Sequence, residues 1–295
     1  MNDHDWLAER FQENRPHLRA VAYRMLGSLS EADDAIQESW LRLSRTNAEG
    51  IENLEGWLTT VVARVSLNML RSRQTRREEP LGARLPDPIV SRAGSVDPEQ
   101  AVILADSVGL ALLVILETLE PDERLAFVLH DMFAMPFDEI APIVGRTPTA
   151  ARQLASRARR RVQGVVPVPD ASLARQHEVV DAFLVAVRAG DFDGLLTVLD
   201  PDVVLHADRG RVPPGTPSIV RGARAVAEGA MGFSRRAEFA RPVLVNGGAG
   251  LVGVGPQGQL LSVMGFTVAD GKIVEIDILL DPVRLRRVDL SVIAD

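Results

Sequence analysis

The sequence contains no cysteine, a single lysine (Lys272) and few aromatic residues, 4% in all. The lack of cysteine excludes disulfide staples and thiolate metal sites and suits a reducing cytosol, so the chain is expected in the cytoplasm. The 5 histidines are scattered and show no paired ligand spacing, so the linear sequence gives no metal site and no cofactor is expected. The segment from Met1 to Pro16 is polar and charged and lacks the apolar run of a secretory signal. The most apolar stretch, Ala101 to Leu119, is interrupted by Asp106, Ser107 and Glu117. It falls short of the about 20 apolar residues a membrane span needs and reads as a buried helix.

What is present points to a multidomain protein. A chain of 295 residues is long enough for two or three domains of about 100–150 residues. Its 46% hydrophobic content excludes wholesale disorder. The net charge of -7 argues, as a sum, against nucleic-acid binding. Its distribution argues otherwise, because arginines 146, 152, 157, 159, 160 and 161 fall between Ala141 and Gly164 with no acid among them. Such a block is either a solvated helix face or a surface for a phosphate backbone.

Helical spacing runs through residues 1–79. Leu18, Val21, Ala22, Met25 and Leu26 form one stripe, and Ala35, Ile36, Trp40 and Leu43 form another. Ser30, followed by Glu31, Asp33 and Asp34, reads as a helix N-cap with an acidic first turn. A third helix is expected from about Glu55 to Arg73. Residues 80–98 read as a linker, with Pro80, Pro86, Pro88, Pro98, Gly82 and Gly94. A second helical domain is expected over 99–166, with a boundary at Val165–Pro169. From Leu173 to the end, two helical stretches precede strand-like runs at Val203–His206, Arg241–Val245, Gly250–Val254, Leu260–Val268 and Lys272–Leu280. That order suggests a separate α+β domain over 173–295 with antiparallel strands.

The second domain contains a helix-turn-helix pattern. Pro121 opens a helix with the buried stripe Leu125, Val128, Leu129 and Met132. A short helix follows at Phe137–Val144, where Pro142 is expected to kink the helix or delay its start. After Gly145, Thr147 and Pro148 supply an N-cap and a first-turn proline. In the next helix, Ala151, Leu154, Ala155, Ala158 and Val162 share one face. Thr149, Gln153, Ser156 and Arg160 lie opposite, flanked by Arg152 and Arg157. An acid-free face of this kind suits the major groove: arginine pairs with guanine, glutamine with adenine, and serine and threonine with phosphate. The alternative is an ordinary amphipathic surface helix.

Taken together, these segments resemble the extracytoplasmic-function (ECF) sigma factors of the sigma-70 family. Leu18-Arg-Ala-Val-Ala-Tyr-Arg-Met-Leu-Gly27 and Glu31-Ala-Asp-Asp-Ala-Ile-Gln-Glu-Ser-Trp-Leu-Arg42 look like the family's region 2 polymerase-binding segment. Gly56-Trp-Leu-Thr-Thr-Val-Val-Ala-Arg64, continuing through Arg73, looks like its promoter-melting helix. Asp138-Glu-Ile-Ala141, Val144-Gly-Arg146, Ala151-Arg-Gln-Leu154 and Arg157-Ala-Arg-Arg-Arg161 look like its region 4 helix-turn-helix. The resemblance implies that Asp34, Gln37 and Glu38 contact core RNA polymerase, on a face with no basic partner in the same helix turn. It also implies that Trp57, Thr60, Arg64 and Asn68 face promoter DNA. Each set has a plainer reading, a solvated acidic face for the first and a core position for Trp57.

The third domain is similar to the SnoaL-like cone, also seen in nuclear transport factor two. Sigma factors that carry it show a Gly-x-Trp-Leu-Pro-Glu-Pro linker, an Asp-Gly-Gly-Gly-Arg turn and a late Asn-Pro-Asp-Lys-Leu. Here the counterparts are Gly82-Ala-Arg-Leu-Pro-Asp-Pro88, Asp208-Arg-Gly-Arg211 and Asp281-Pro-Val-Arg-Leu285, with Arg84 where the tryptophan stands. The expected fold is thus two all-α sigma domains followed by an α+β domain. Asp208, Arg211, Asp281, Pro282, Arg284 and Leu285 are regulatory candidates, and the 281–285 tail is a candidate latch. The function implied is promoter recognition and transcription initiation with core RNA polymerase, regulated in cis and without enzymatic activity. Two alternatives remain open. One is a DNA-binding regulator that needs no polymerase, with a C-terminal domain that senses a small molecule. The other is an enzyme using His206, Asp208, Glu275 and Asp277 as acid–base groups.

Overall fold

The computed structural model describes residues 3–46, 51–75, 85–92, 109–163, 170, 172–210 and 219–288. Arg211, residues 80–84 and 93–98 of the expected linker, and the boundary at 165–169 lie outside the described residues. The chain divides into two compact units. One comprises residues 1–79, 97–106 and 115–165; the other comprises 80–96, 107–114 and 166–295.

The first unit is helical. Helices α1 (Asp3–Leu26), α2 (Leu29–Leu43) and α3 (Leu54–Thr75) pack on one another. The two stripes read from the sequence are their buried faces: Leu18, Val21, Ala22 and Met25 are fully buried, as are Ala35 and Leu43. The N-cap of α2 is Ser28, two residues before the serine expected, and its hydroxyl bonds Ser30 Oγ (3.1 Å) rather than the helix backbone. Gly27, at φ 67, makes the turn before it. A side chain there would be strained and would collide with the Glu117 carboxylate.

Helix α4 (Leu110–Glu117) lies within the apolar stretch expected to be helical, and the division between units falls inside it. Helix α5 (Pro121–Phe127) continues as a π-turn over Val128–Met132, so Leu125, Val128 and Leu129 are buried together. Helix α6 (Phe137–Val144) begins where the sequence indicated and runs past Pro142 rather than starting late. Gly145 ends it in the left-handed conformation (φ 68), which only glycine adopts without strain. Helix α7 (Pro148–Gln163) then packs on α5 and α6. Ala151, Ala155 and Ala158, each fully buried, let the helices approach closely.

In the second unit, α8 (Leu173–Ala189) and α9 (Phe192–Val198) lead into β2 (Leu199–Asp208). The remaining elements are β3 (Ile219–Arg221), α10 (Ala223–Met231), β4 (Ala240–Val245), β5 (Gly248–Val254), β6 (Leu260–Ala269), β7 (Lys272–Leu279) and α11 (Pro282–Leu285). Among the described residues these strands and β1 (Val90–Ser91) form one sheet, in the order β1-β4-β5-β6-β7-β2-β3. Two features depart from the sequence reading. The pair β2–β7 is parallel, where antiparallel strands were expected. Residues 90–91, read as linker, form the edge strand β1, with Val90 opposite Val245 and Ser91 opposite Leu244.

The sheet buries both faces. Phe183, Val187, Leu195, Val226, Phe266 and Ile276 form the core on the face covered by α8–α10. Val90, Leu110, Val243, Val263, Leu279 and Leu285 form the core on the other. Alternation along β7 explains the split: Ile276 and Ile278 point to the first core, and Glu275, Asp277 and Leu279 to the second face.

Candidate functional site

Thr149, Arg152, Gln153, Ser156, Arg157 and Arg160 are all exposed on α7, opposite its buried alanines. The acid-free property belongs to that helix alone. Glu123 of α5, 7% exposed, accepts from Arg157 Nε (2.7 Å) and Arg161 Nη1 (3.1 Å). Asp131 accepts from Arg159 Nε at 2.8 Å. Arg157 is therefore part of an anchor, whereas Gln153 and Arg160 carry no such tie among the described residues. Arg152 lies over the ring of Phe137 (5.3 Å), which stacks on His130 (3.9 Å). That column fixes the guanidinium direction at little entropic cost. Sequence spacing did not reveal Glu123, Asp131 or Phe137 in these roles, because each sits on a different helix.

On α3, Arg64 and Asn68 are exposed and Trp57 and Thr60 are half-buried, a spacing that keeps all four on one side. Arg64 donates to the Pro142 carbonyl of α6 at 3.5 Å. Further along, Arg71 pairs with Asp122 (2.6 Å) and Gln74 donates to Glu120 (2.8 Å). Arg124, 1% exposed, donates to the Arg24 carbonyl (3.0 and 3.1 Å) and pairs with Glu117 (3.1 Å). The three-helix bundle and the helix-turn-helix are thus joined by the buried Arg124 contacts and by exposed polar contacts around them.

On α2, Asp34, Gln37 and Glu38 are all exposed. Glu38 is not without a basic neighbour: Arg42, one helical turn on, donates to it at 3.0 Å. Glu38, Arg42, Asn68 and Met69 line an open cavity of about 380 Å³ between α2 and α3, to which the paired Arg73 and Glu31 also contribute.

In the second unit, three separated sequence stretches meet. Arg284 of α11 pairs with Asp87 Oδ1 (2.6 Å) and with Asp208, the last residue of β2. Asp208, 5% exposed, also accepts from the backbone N–H of Leu85 (3.0 Å) and of Gly210 (2.9 Å). Asp281 caps α11 by accepting from Val283 N at 2.8 Å, Pro282 takes the first turn, and Leu285 is buried at 3%. The Asn246-Gly247 hairpin turn adds a second grip. Asn246 donates its backbone N–H to the Ile89 carbonyl (2.8 Å) and accepts Ile89 N–H on its side chain (3.1 Å). Residues 85–91 are therefore held at both ends, by a salt-bridged clamp and by strand pairing. Asn-Gly was readable as a turn; its hold on a segment 157 residues away was not.

The acid–base candidates split into two groups. Asp208 belongs to the clamp. His206, Glu275 and Asp277 come together because parallel pairing sets His206 beside Asp277. His206 Nδ1 lies 3.0 Å from Asp277 Oδ1 and 3.1 Å from Glu275 Oε1. Burial alone would lower the His206 pKa; hydrogen bonds and charge from the two carboxylates outweigh it and raise it to about 9. Burial raises the Asp277 pKa to about 6, the His206 hydrogen bond opposing the shift and the Glu275 charge adding to it. Among the described residues no helix is long and apolar enough to cross a membrane.

The sigma-70 region 2 family matches residues 10–76, and the sigma-70 region 4 family matches residues 109–162. The chain is 40% identical to the ECF RNA polymerase sigma factor SigJ of Mycobacterium tuberculosis, over 89% of this chain and 88% of that one. It is 38% identical to the probable ECF RNA polymerase sigma factor SigI of the same species, over 75% of this chain and 78% of that one. The crystal structure of M. tuberculosis SigJ superimposes with a TM-score of 0.78 at 36% identity, covering 94% of this chain and 97% of that one.

Proposed function

This chain belongs to the ECF sigma factors of the sigma-70 family, and from that membership we propose how its own residues do the work and that its C-terminal α+β domain is SnoaL-like. It binds core RNA polymerase in the cytoplasm, directs it to promoters and starts transcription there. The observation that carries the residue assignment is the exposed face of α7, set opposite fully buried alanines. Arg152, Gln153 and Arg160 read base edges in the major groove, and Thr149 and Ser156 bind phosphate. Arg157 steadies the helix through Glu123. Trp57, Thr60, Arg64 and Asn68 meet melted promoter DNA by stacking and charge. Asp34, Gln37 and Glu38 dock on the polymerase.

The regulatory reading rests on the clamp. The C-terminal domain holds residues 85–91, the chain that joins the two sigma regions. Capturing that chain limits how the regions can rearrange, and release is a population shift that polymerase binding can drive. The described parts of the three family motifs, Leu85–Pro88, Asp208–Gly210 and Asp281–Leu285, serve this grip.

Run-off transcription with purified core polymerase tests the assignment. Arg152→Ala with Gln153→Ala removes contacts worth about 1–3 kcal/mol each and is expected to cut transcription at least tenfold while polymerase co-purification persists. Asp34→Arg with Glu38→Arg is expected to do the reverse, weakening co-purification at matched salt. Full activity of the first variant, or full co-purification of the second, removes the corresponding face from the assignment.

A further inference from the structure

We propose that His206, Glu275 and Asp277 form a binding site for a divalent transition-metal cation. One donor atom from each residue lies within 4.8 Å of the other two. Ligand atoms about 2.0–2.2 Å from a common metal stand about 2.8–3.6 Å apart along the edges of an octahedron or tetrahedron. The spacings of His206 Nδ1 to Asp277 Oδ1 and to Glu275 Oε1, 3.0 and 3.1 Å, fall within that range. The β2–β7 pairing, held along both strands, fixes these positions independently of any ion.

A further oxygen stands beside the cluster. Thr267 of β6 pairs across the ladder with Glu275, which puts its side chain on the same face of the sheet. The residue is 7% exposed. A hydroxyl on that face can ligate a cation or hold a metal-bound water.

Charge argues the same way. Glu275 and Asp277 are adjacent buried carboxylates on one face of one strand, 7% and 2% exposed. No arginine or lysine pairs with either among the described residues, since Arg284 is committed to Asp87 and Asp208. A single imidazolium offsets one negative charge, whereas a divalent ion offsets both and accepts the imidazole as a neutral ligand. The donor set of one imidazole and two carboxylates suits Zn²⁺ or Mn²⁺ better than the all-oxygen shells of Ca²⁺ and Mg²⁺. His206, with 14% of its side chain exposed, leaves a route for entry. His206 lies two residues from Asp208 on the same strand, so an ion here braces the strand that carries the linker clamp.

Full-length protein stripped with a chelator and dialysed is titrated calorimetrically, in separate runs, with Zn²⁺, Mn²⁺, Mg²⁺ and Ca²⁺. The double variant Glu275→Gln/Asp277→Asn, which keeps side-chain size, is titrated alongside. The expected result is one equivalent bound by the unaltered protein and at least tenfold weaker binding by a variant that still unfolds cooperatively. Where that variant does not fold, His206→Gln takes its place with the same expectation. Equal affinity in protein and variant, no binding of either ion, or binding of Mg²⁺ or Ca²⁺ alone overturns the proposal. The trio is then a protonated histidine held between two carboxylates.

Discussion

Glu123 does at the residue scale what the reading helix cannot do for itself. Its two oxygens take Arg157 and Arg161, which are half-exposed, so the carboxylate competes with DNA phosphate for both guanidiniums. Glu123→Gln removes the competitor without emptying the site. The carboxylate is buried while its two arginines are half-exposed, and the amide keeps one acceptor oxygen, so thermal unfolding should register a loss of about 1–3 kcal/mol. Affinity for non-cognate duplex DNA should rise, and its salt dependence should steepen by about one phosphate contact. An unchanged salt slope would mean that neither arginine reaches the backbone.

At the scale of elements, α1 and α3 meet through a titratable contact. His17 of α1 lies 3.2 Å from Thr59 Oγ1 of α3 and edge-on to Phe133. Burial lowers its pKa, with Arg24 adding to the shift and Glu55 opposing it. A depressed histidine pKa contributes stability above the unfolded value of 6.5 that is lost as pH falls through the lower folded value. The helical unit should therefore weaken as pH drops below 6.5. Trp6, Trp40 and Trp57 all lie in the three-helix bundle and report its unfolding by fluorescence. His17→Gln should flatten that part of the pH dependence; an identical slope in the variant would assign it elsewhere.

The elements themselves were legible to different degrees, for physical reasons. Helices α2, α3 and α7 followed from the 3.6 period because each buries one continuous stripe. The strands β4–β7 followed from β-branched runs between glycine turns. The strand β1 did not, because two residues in a proline-rich stretch carry no period of their own and are strand only through β4. The parallel pairing of β2 and β7 was equally hidden, and with it the meeting of His206 with Asp277, 71 residues apart. The exposed face of α7 was visible residue by residue, whereas its anchors on α5 and the π-turn were not.

For the whole molecule, the clamp makes a prediction about activity. A chain ending after Leu280 lacks α11 and so loses Arg284 from Asp87 and Asp208. Hydrogen bonds to charged groups contribute about 1.5–3 kcal/mol, which corresponds to a shift of roughly ten- to a hundredfold in linker release. Arg284→Ala makes the same cut while keeping Leu285 in the core. Both forms should transcribe more strongly than the full chain at equal soluble concentration. Activity indistinguishable among the three removes the latch from regulation.

The pairing of Val90 with Val245 also sets a timetable. A ribosome releases the helical sigma regions first, while about 130 residues of the C-terminal unit remain to be made. At about 5–20 residues per second that interval lasts on the order of ten seconds. During it, β1 has no β4 to join and Asp87 has no Arg284. Each newborn molecule thus passes through a stage in which the sigma regions exist and the contacts that hold residues 85–91 do not. A polymerase encountered close to the ribosome meets a factor whose linker has yet to be caught.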